Sequence, residues 1–180
     1  MSVKTKLIII TASILCTFSC HNNRPTSFVL SDFESEADLD RVQWRCHTLF
    51  SLSDENVTNG SKSLKLVLYP SDYPGITFAL SMHNWSSYQI LSLYIFNPQD
   101  EVISLAMRID DMKEYPDFKE RYNHSFPIKP GMNHLRIPLA SLFTSGTKRS
   151  INLKNIHRCM IFMAYPPKKY VLYIDYVHLA

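Results

Sequence analysis

The chain has 180 residues, with 19 lysines and arginines against 16 aspartates and glutamates. Without the first twenty residues, which contain Lys4 and Lys6, the count is 17 basic against 16 acidic side chains, and this balance does not favour nucleic-acid binding. The remaining residues, about 160, are enough for one domain with its own hydrophobic core.

The amino terminus has the pattern of a secretory signal. Its basic start precedes an apolar run over residues 7–15, which is too short to span a bilayer comfortably. Residues 1–20 are therefore predicted to be a signal peptide, so the mature chain is expected to be exported. Cleavage near Ser19 without further modification is the alternative, and it would release a soluble protein.

The signal ends at Ser19-Cys20, a junction that resembles the lipobox of bacterial lipoproteins. Thr17 and Phe18 depart from that motif, in which Leu and a small residue are usual. The resemblance implies lipidation at Cys20, which attaches the chain to a membrane, and a location in the cell envelope as an outer-membrane or periplasmic lipoprotein. Residues 21–27 then form a short polar tether.

Ten short segments have the composition of β-strands, because they are rich in β-branched and aromatic residues and are bounded by turn residues. No long amphipathic helix interrupts them, and single helical turns are expected at 38–42 and 141–143. This spacing predicts an all-β domain over residues 28–180, a two-sheet antiparallel β-sandwich of the jelly-roll type. The predicted strands are 28–30, 43–52, 63–69, 75–81, 90–97, 102–109, 124–128, 133–137, 158–164 and 170–179.

Period-2 alternation within these segments predicts which side chains face the core. Its clearest case is the strand around Met107, where four apolar residues alternate with small or polar ones, so that Arg108 and Asp110 lie on the opposite face. The predicted core residues are Leu64, Leu66, Leu68, Leu91, Leu93, Ile103, Leu105, Met107, Leu135, Ile137, Ile161 and Ile174.

The segment from Met107 to Phe126 has more than the pattern of a structural strand and its connection. After the strand it enters a long loop that carries tyrosines and paired charges, and loops of this kind more often bind something than merely connect strands. The alternative is a solvated hairpin connection whose charges keep the chain soluble.

Sugar binding requires flat aromatic faces for the C–H surfaces of the ring and planar hydrogen-bonding groups for the hydroxyls. Both kinds of group occur in and around this segment. Alternatively, Trp85 and Tyr88 cover a sandwich edge, and Arg108 and Asp110 take part in a cross-strand salt bridge. The candidate ligand-binding residues are Tyr73, Trp85, Tyr88, Tyr115 and Tyr122 for stacking, and Arg108, Asp110, Asp111, Arg121 and Asn123 for hydrogen bonding.

Three landmarks follow one another along the chain: an acidic opening strand over 31–34, a Gly-x-x-Ser-Leu strand start over 60–64, and a closing Ile174-Asp175 strand. In this order they resemble the carbohydrate-binding-module type of galactose-binding-domain-like jelly roll, over roughly residues 28–179. The resemblance implies a non-catalytic module that binds a glycan or polysaccharide.

A calcium ion often ties the opening strand to the closing strand in the resembled modules. The resemblance therefore implies Glu34 and Asp175 as carboxylate ligands, together with backbone carbonyls of the 59–61 turn. Asp175 also lies among apolar neighbours on its strand and needs a partner. An ion pair with Lys62 or Arg158 is the alternative to calcium.

Catalytic patterns are missing from the sequence, so we expect no enzyme. Asp110 and Asp111 are adjacent, which in a strand points them to opposite faces, and glycoside hydrolysis needs two carboxyl groups on one substrate. The histidines show no metal-ligand spacing, and there is no Gly-x-Ser-x-Gly elbow. Cys46 and Cys159 either pair in an oxidising compartment or stay free thiols.

A second function class fits the same features. The chain would be a lipoprotein adaptor whose jelly roll binds another envelope protein, as related jelly rolls of the complex I intermediate-associated family act in assembly. A flat apolar patch, or a groove filled by the 112–119 loop, favours the adaptor. An exposed aromatic groove around Arg108 favours the glycan-binding module.

Overall fold

The computed structural model describes residues 27–180, which form two antiparallel sheets packed face to face. The predicted all-β sandwich is confirmed. One helical turn, α1 (Glu36–Leu39), and two 3-10 turns, Phe118–Glu120 and Leu139–Ser141, accompany the sheets. The strands are β1 (Phe28–Ser31), β2 (Val42–Arg45), β3 (Thr48–Ser53), β4 (Ser63–Leu68), β5 (Gly75–Phe78), β6 (Ile90–Asn97), β7 (Ile103–Asp110), β8 (Tyr122–Ile128), β9 (Gly131–Pro138), β10 (Arg158–Phe162) and β11 (Tyr170–Leu179).

The strand order shows which strands are neighbours in each sheet. The first sheet runs β3-β4-β11-β6-β9, with β1 also paired to β11, and the second runs β2-β5-β10-β7-β8. Strands distant in sequence are therefore neighbours: β10 lies between β5 and β7. The outer face of the second sheet therefore carries side chains from segments that are distant in sequence.

The predicted strand 43–52 divides into β2 and β3, which belong to different sheets. Cys46 and His47 stand at the break with φ angles of 34° and 32°, outside the extended region that a continuous strand needs. Thr48 holds the corner, because its hydroxyl donates to the carbonyl of Arg45 at 2.6 Å and accepts from the amide of Gly75 at 2.7 Å. Composition alone did not reveal this corner.

The core between the sheets contains the side chains that the alternation predicts. Eleven of the twelve predicted core residues are buried, and Leu135, on the edge strand β9, is partly buried against them. Phe33 and Trp85 are also fully buried, at 0% exposure. Cys46 is exposed and Cys159 is buried, and both are free thiols. Burial raises the pKa of Cys159 to about 12.

The predicted signal peptide, the lipidation at Cys20 and nearly all of the predicted tether lie outside the described residues. These three stay predictions. Within residues 27–180, every helix is too short to cross a membrane.

Candidate functional site

The outer face of the second sheet carries charged and amide side chains on strands β7, β8 and β10. The register places Arg108 of β7 beside Met160 of β10 on one side and Asn123 of β8 on the other. One row along, Asp110 lies opposite Arg158. The apolar residues that alternate with these on β7 are all buried in the core, so strand alternation separates a polar outer face from an apolar inner one.

A buried ion cluster forms the floor of this face. Asp110 is fully buried and accepts hydrogen bonds from Arg108, with Nε–Oδ1 at 2.8 Å and Nη2–Oδ2 at 2.6 Å. Arg158 contacts the same carboxylate from β10. The Asp110 carboxylate thus joins two guanidinium groups on neighbouring strands. Because it is buried and paired, it is not exposed to solvent.

Tyr115, from the loop after β7, lies over this cluster. Its ring centroid is 3.9 Å from the guanidinium carbon of Arg158, 5.5 Å from that of Arg108 and 5.8 Å from that of Arg45. Arg45 also donates from Nη2 to the Tyr115 hydroxyl at 2.9 Å. Tyr115 is nevertheless 66% exposed, so the ring is fixed by cations and still presents a surface to solvent.

Beside this loop a groove of about 390 Å³ remains open, which means that the 112–119 loop does not fill the face. Its walls combine guanidinium and amide groups with aromatic rings, and small Ala106 leaves space at its floor. The lining residues are Arg45, Tyr73, Ala106, Arg108, Phe118, Arg121, Asn123, Ser125, Met160, Phe162 and Ala164.

Two polar atoms at the groove are buried without a partner among the described residues: Arg121 Nε and Asn123 Oδ1. A buried polar atom that lacks a hydrogen bond destabilises the protein, so such atoms usually mark the place of a water or a ligand. Burial lowers the pKa of Arg121, and the charge of nearby Arg108 lowers it further. The guanidinium still carries its positive charge.

An aromatic wall closes one end of the groove. Tyr73 packs edge-on against Phe162, with centroids 5.8 Å apart, and lies 5.1 Å from the ring of Tyr165. The hydroxyls of the two tyrosines are 3.0 Å apart. Tyr73 is 45% exposed and Tyr165 63% exposed, so both rings are accessible to a ligand.

Five of the ten predicted ligand-binding residues, Tyr73, Arg108, Tyr115, Arg121 and Asn123, come together on this face. Asp110 lies beneath them, as the carboxylate of the ion cluster. The cross-strand salt bridge considered as an alternative is present between Arg158 of β10 and Asp110 of β7, and Arg108 joins it from within β7. It does not remove Arg108 from the groove wall.

Trp85, Tyr88 and Tyr122 lie elsewhere, and their predicted place on the ligand face is wrong. Trp85 is fully buried and donates from Nε1 to the carbonyl of Met82 at 3.0 Å. Tyr88 is 7% exposed and belongs to the same core. Tyr122 pairs with the core residue Ile109, which turns its ring inward, and burial raises its pKa to about 12.

Asp111 is also away from the groove, because it anchors the segment before β10. It accepts from both terminal nitrogens of Arg149, at 2.6 and 3.0 Å, and from the amide of Asn152 at 2.7 Å. Burial raises the pKa of Asp111, but these hydrogen bonds outweigh it, so the pKa lies below its ordinary value. The role of Asp111 is structural.

The sequence prediction missed several groove residues, Arg45, Phe118, Arg158, Met160 and Phe162 among them. In β10 the signal was present, since Arg158, Met160 and Phe162 alternate with Cys159 and Ile161 along one strand. Recognising it required knowing that β10 neighbours β7. Sequence alone does not give that pairing.

Glu34 and Asp175, the predicted metal ligands, both bind the turn before β4. Glu34 accepts from the amides of Ser61 at 2.9 Å and Lys62 at 3.0 Å. Through Oδ2, Asp175 accepts from the amide of Thr58 at 2.6 Å. Arg158 binds Asp110, so the ion pair considered between Arg158 and Asp175 is absent from the described structure.

One carboxylate oxygen at this turn is available to a cation. Asp175 Oδ1 is buried without a partner among the described residues, and a free carboxylate oxygen in that position suits a hard cation. Within residues 27–180 no three His, Cys, Asp or Glu side chains cluster to hold a metal. Glu34, Asp175 and carbonyls of residues 58–62 would therefore make up the ligands together. Calcium stays a prediction.

A second depression, of about 720 Å³, lies along the edge strand β3. It is larger than the groove, but its lining is mostly apolar, and Leu49 and Tyr69 are exposed there at 60% and 37%. No charged group converges on it from its lining residues His47, Thr48, Leu49, Phe50, Tyr69 and Pro70.

The solved structures with a similar fold include carbohydrate-binding modules. The family 11 module from Clostridium thermocellum, in complex with a beta-1,3-1,4-mixed-linked tetrasaccharide, gives a TM-score of 0.61 at 18% identity, covering 85% of this chain and 94% of that chain. The C-terminal family 22 module of Clostridium thermocellum Xyn10B gives 0.56 at 15% identity, covering 86% and 94%. The chain has the jelly-roll fold of such modules, so the resemblance inferred from the sequence is confirmed.

Agarases are similar over one part of their length. An exo-beta-agarase structure gives a TM-score of 0.67 at 19% identity, covering 84% of this chain and 24% of that chain. Beta-agarase B of Vibrio sp. (strain JT0107) is 28% identical over 170 residues, which is 83% of this chain and 17% of the agarase. The chain thus spans less than a fifth of this relative. No family model matches the chain.

Proposed function

We propose that the chain is a non-catalytic carbohydrate-binding module whose ligand lies in the groove on the second sheet. The observation that carries the proposal is the convergence of guanidinium and amide side chains, those of Arg108, Arg121 and Asn123, with the exposed ring of Tyr73 along one open groove. Sugar hydroxyls satisfy such donors and acceptors, while sugar C–H faces stack on the ring. The fold shared with carbohydrate-binding modules supports the same ligand class.

The groove is not equipped for glycoside hydrolysis. That reaction uses two carboxyl groups that flank the scissile bond, about 5 to 10 Å apart. No carboxylate lines the groove among the described residues, and Asp110 beneath it is buried and ion-paired with Arg108 and Arg158. The similarity to agarases is therefore best explained by a shared accessory domain.

Binding by one such module is expected to be weak, with a Kd on the order of micromolar to millimolar. A shallow groove buries little area, and sugar hydroxyls are costly to remove from water. Attachment to a membrane through a lipid at Cys20 would compensate, because many copies on one surface bind a polymer together. Export as an envelope lipoprotein belongs to this proposal, and the basic start, the apolar run and the Ser19-Cys20 junction support it.

The test is a glycan array, followed by isothermal titration with the tightest ligand found. Tyr73→Ala and Asn123→Ala should each weaken binding at least about fivefold, since each removes one contact of about 1 kcal/mol or more. Tyr69→Ala is the matched control, because Tyr69 lies at the other depression. If no glycan binds the wild type, or if Tyr69→Ala weakens binding as much as Tyr73→Ala, the proposal fails.

Lipid attachment has its own test in the native host. Cys20→Ala should move the protein from the membrane fraction to the soluble fraction, because the variant has no thiol to acylate. Unchanged fractionation of Cys20→Ala would show that the chain has no lipid at this position.

The adaptor for another envelope protein is the second candidate. The depression on β3 favours it, because Leu49 is 60% exposed on an edge strand that is free to pair with another chain. Cross-linking in the native envelope through a photoreactive residue at position 49 tests it. A single specific adduct supports the adaptor, and its absence together with glycan binding excludes it.

A further inference from the structure

The groove holds a local excess of positive charge. Four guanidinium groups, those of Arg45, Arg108, Arg121 and Arg158, line it or lie beneath its covering loop. Among the described residues, Asp110 is the one carboxylate that forms an ion pair with any of them. The mature domain has nearly balanced charge, so the excess is local to this face.

The Asp110 carboxylate forms ion pairs with only two of the four arginines, Arg108 and Arg158. Arg45 has neutral partners, since Nε donates to the Thr77 hydroxyl at 3.2 Å and Nη2 donates to the Tyr115 hydroxyl. Arg121 lies over the ring of Phe118, 5.5 Å from its centroid, and has no ion pair among the described residues. Within residues 27–180, Arg45 and Arg121 therefore have no carboxylate as an ion-pair partner.

Their positions are suited to an anion held inside the groove. Burial lowers the pKa of Arg121, and the positive charges of Arg108 and Arg158 lower it further, while Asp110 acts in the opposite direction. An anion between these groups would relieve the repulsion among their positive charges, and a cleft lined with one sign of charge concentrates ligands of the other sign. Guanidinium groups bind sulfate and carboxylate through paired, planar hydrogen bonds, which a neutral hydroxyl does not allow.

We infer that the groove selects an anionic polysaccharide, with sulfate or carboxylate groups on its sugars. This inference rests on the proposed function and narrows its ligand class. The anionic group would lie between Arg121 and Arg45, above Arg108, while an adjoining sugar ring stacks on Tyr73. A neutral polymer would leave the two unpaired guanidinium groups without a partner of opposite charge.

The experiment compares matched pairs of ligands by isothermal titration. One pair is a sulfated galactan oligosaccharide and its chemically desulfated form, and the other is oligogalacturonate and its methyl ester. The charged member of at least one pair should bind about tenfold more tightly than its neutral form, and its affinity should fall as sodium chloride is raised. The pair that shows the larger difference tells whether the groove prefers sulfate or carboxylate, and either result supports the inference.

Variants then connect the charge preference to the groove. Arg121→Gln and Arg45→Gln should each reduce the preference for the charged ligand severalfold, with thermal melts confirming that each variant is folded. Arg136→Gln is the control, because Arg136 is exposed on β9 of the other sheet. Its binding should equal that of the wild type.

The outcomes separate this inference from the proposed function. If the neutral forms bind as tightly as the charged forms, the inference is wrong and the carbohydrate-binding module stands. If Arg136→Gln weakens binding as much as Arg121→Gln, the attraction is diffuse and the assignment to the groove is wrong. If no member of either pair binds and a wide glycan array is also negative, the proposed function itself fails.

Discussion

Tyr115 and Arg158 are in direct contact, with the tyrosine ring centroid 3.9 Å from the guanidinium carbon, although they come from different parts of the chain. The contact places the loop after β7 over the outer face of β10. Together with the hydrogen bond from Arg45 to the Tyr115 hydroxyl, it holds this part of the loop beside the groove. This cation–π pair thus links the irregular loop after β7 to a strand of the second sheet.

Replacing Tyr115 with Ala should weaken ligand binding about three- to tenfold. The change removes a ring that contacts three guanidinium groups, and such contacts are worth about 0.5–2 kcal/mol. Tyr115→Phe is the matched control, because it keeps the ring and loses only the hydrogen bond from Arg45. Isothermal titration with one glycan should rank wild type and Phe together above Ala. Equal binding by Ala and Phe would show that the ring does not shape the site.

Replacing Asp110 with Asn should reduce the free energy of unfolding by about 3–5 kcal/mol. Arg108 and Arg158 would keep their charges in a buried position and lose the carboxylate that neutralises them. Glu101→Gln is the matched control, since its ion pair with Lys168 is exposed and should contribute little to stability. Urea denaturation measures both changes. A loss for Asp110→Asn as small as that for Glu101→Gln would mean that the cluster adds little stability.

A side chain at Gly60 should destabilise the turn before β4. Its φ is +72°, and an added Cβ would lie 2.3 Å from the Glu34 carboxylate. Gly60→Ala should therefore cost about 2–4 kcal/mol, from backbone strain and displacement of Glu34. Gly131 is the control, because its φ is +83° but nothing lies within 4 Å of an added Cβ, so Gly131→Ala should cost about 1 kcal/mol. Equal losses in thermal unfolding would show that the contact with Glu34 is unimportant.

Strand alternation was enough to predict the core and the outward position of Arg108 and Asp110, because a period of two depends on one strand alone. Tyr122 was assigned to the wrong face because β8 begins at Tyr122, two residues before the predicted start, and the pairing with Ile109 fixes its side. Trp85 lies in the connection between β5 and β6, where no periodicity distinguishes a core aromatic from a stacking platform.

The missing part of the site depends on pairing between distant segments. Tyr165 reaches Tyr73 across 92 residues of sequence, and Arg158 reaches Asp110 across 48. Neither relationship has a local signature, since each follows from the place of β10 between β5 and β7. Residue composition indicated which kinds of side chain line the groove. Only the strand topology determined which residues lie together on the outer face of the second sheet.

Asp111 should make stability depend on pH. Its pKa is lowered in the folded protein, so its contribution is complete above the pKa of the unfolded chain and is lost as pH falls through the folded pKa. The free energy of unfolding should decline more steeply on acidification in the wild type than in Asp111→Asn, which lacks the titrating group. Urea denaturation between neutral and acidic pH measures the difference. Parallel pH profiles would show that the hydrogen bonds from Arg149 and Asn152 do not shift this group.

Calcium removal should lower the melting temperature of the mature domain. The expected ligands are Glu34, Asp175 and carbonyls of the 58–62 turn, and a ligand that binds only the folded state stabilises it by mass action. Starting from calcium-saturated protein, EDTA should lower the Tm by several degrees, and excess calcium chloride should restore it. Magnesium at the same concentration should restore less, because it requires a stricter octahedral geometry.

Two variants separate a bound cation from a structural role of the carboxylates alone. Asp175→Asn removes the charge beside the unpartnered Oδ1, so its Tm should be low in calcium and nearly unaffected by EDTA. Glu55→Gln is the matched control, because Glu55 is an exposed acid that binds Tyr173 and Lys65 and not the 58–62 turn. Its response to EDTA should match that of the wild type. If EDTA leaves the Tm of the wild type unchanged, the two carboxylates hold the turn through hydrogen bonds alone and the calcium prediction is wrong.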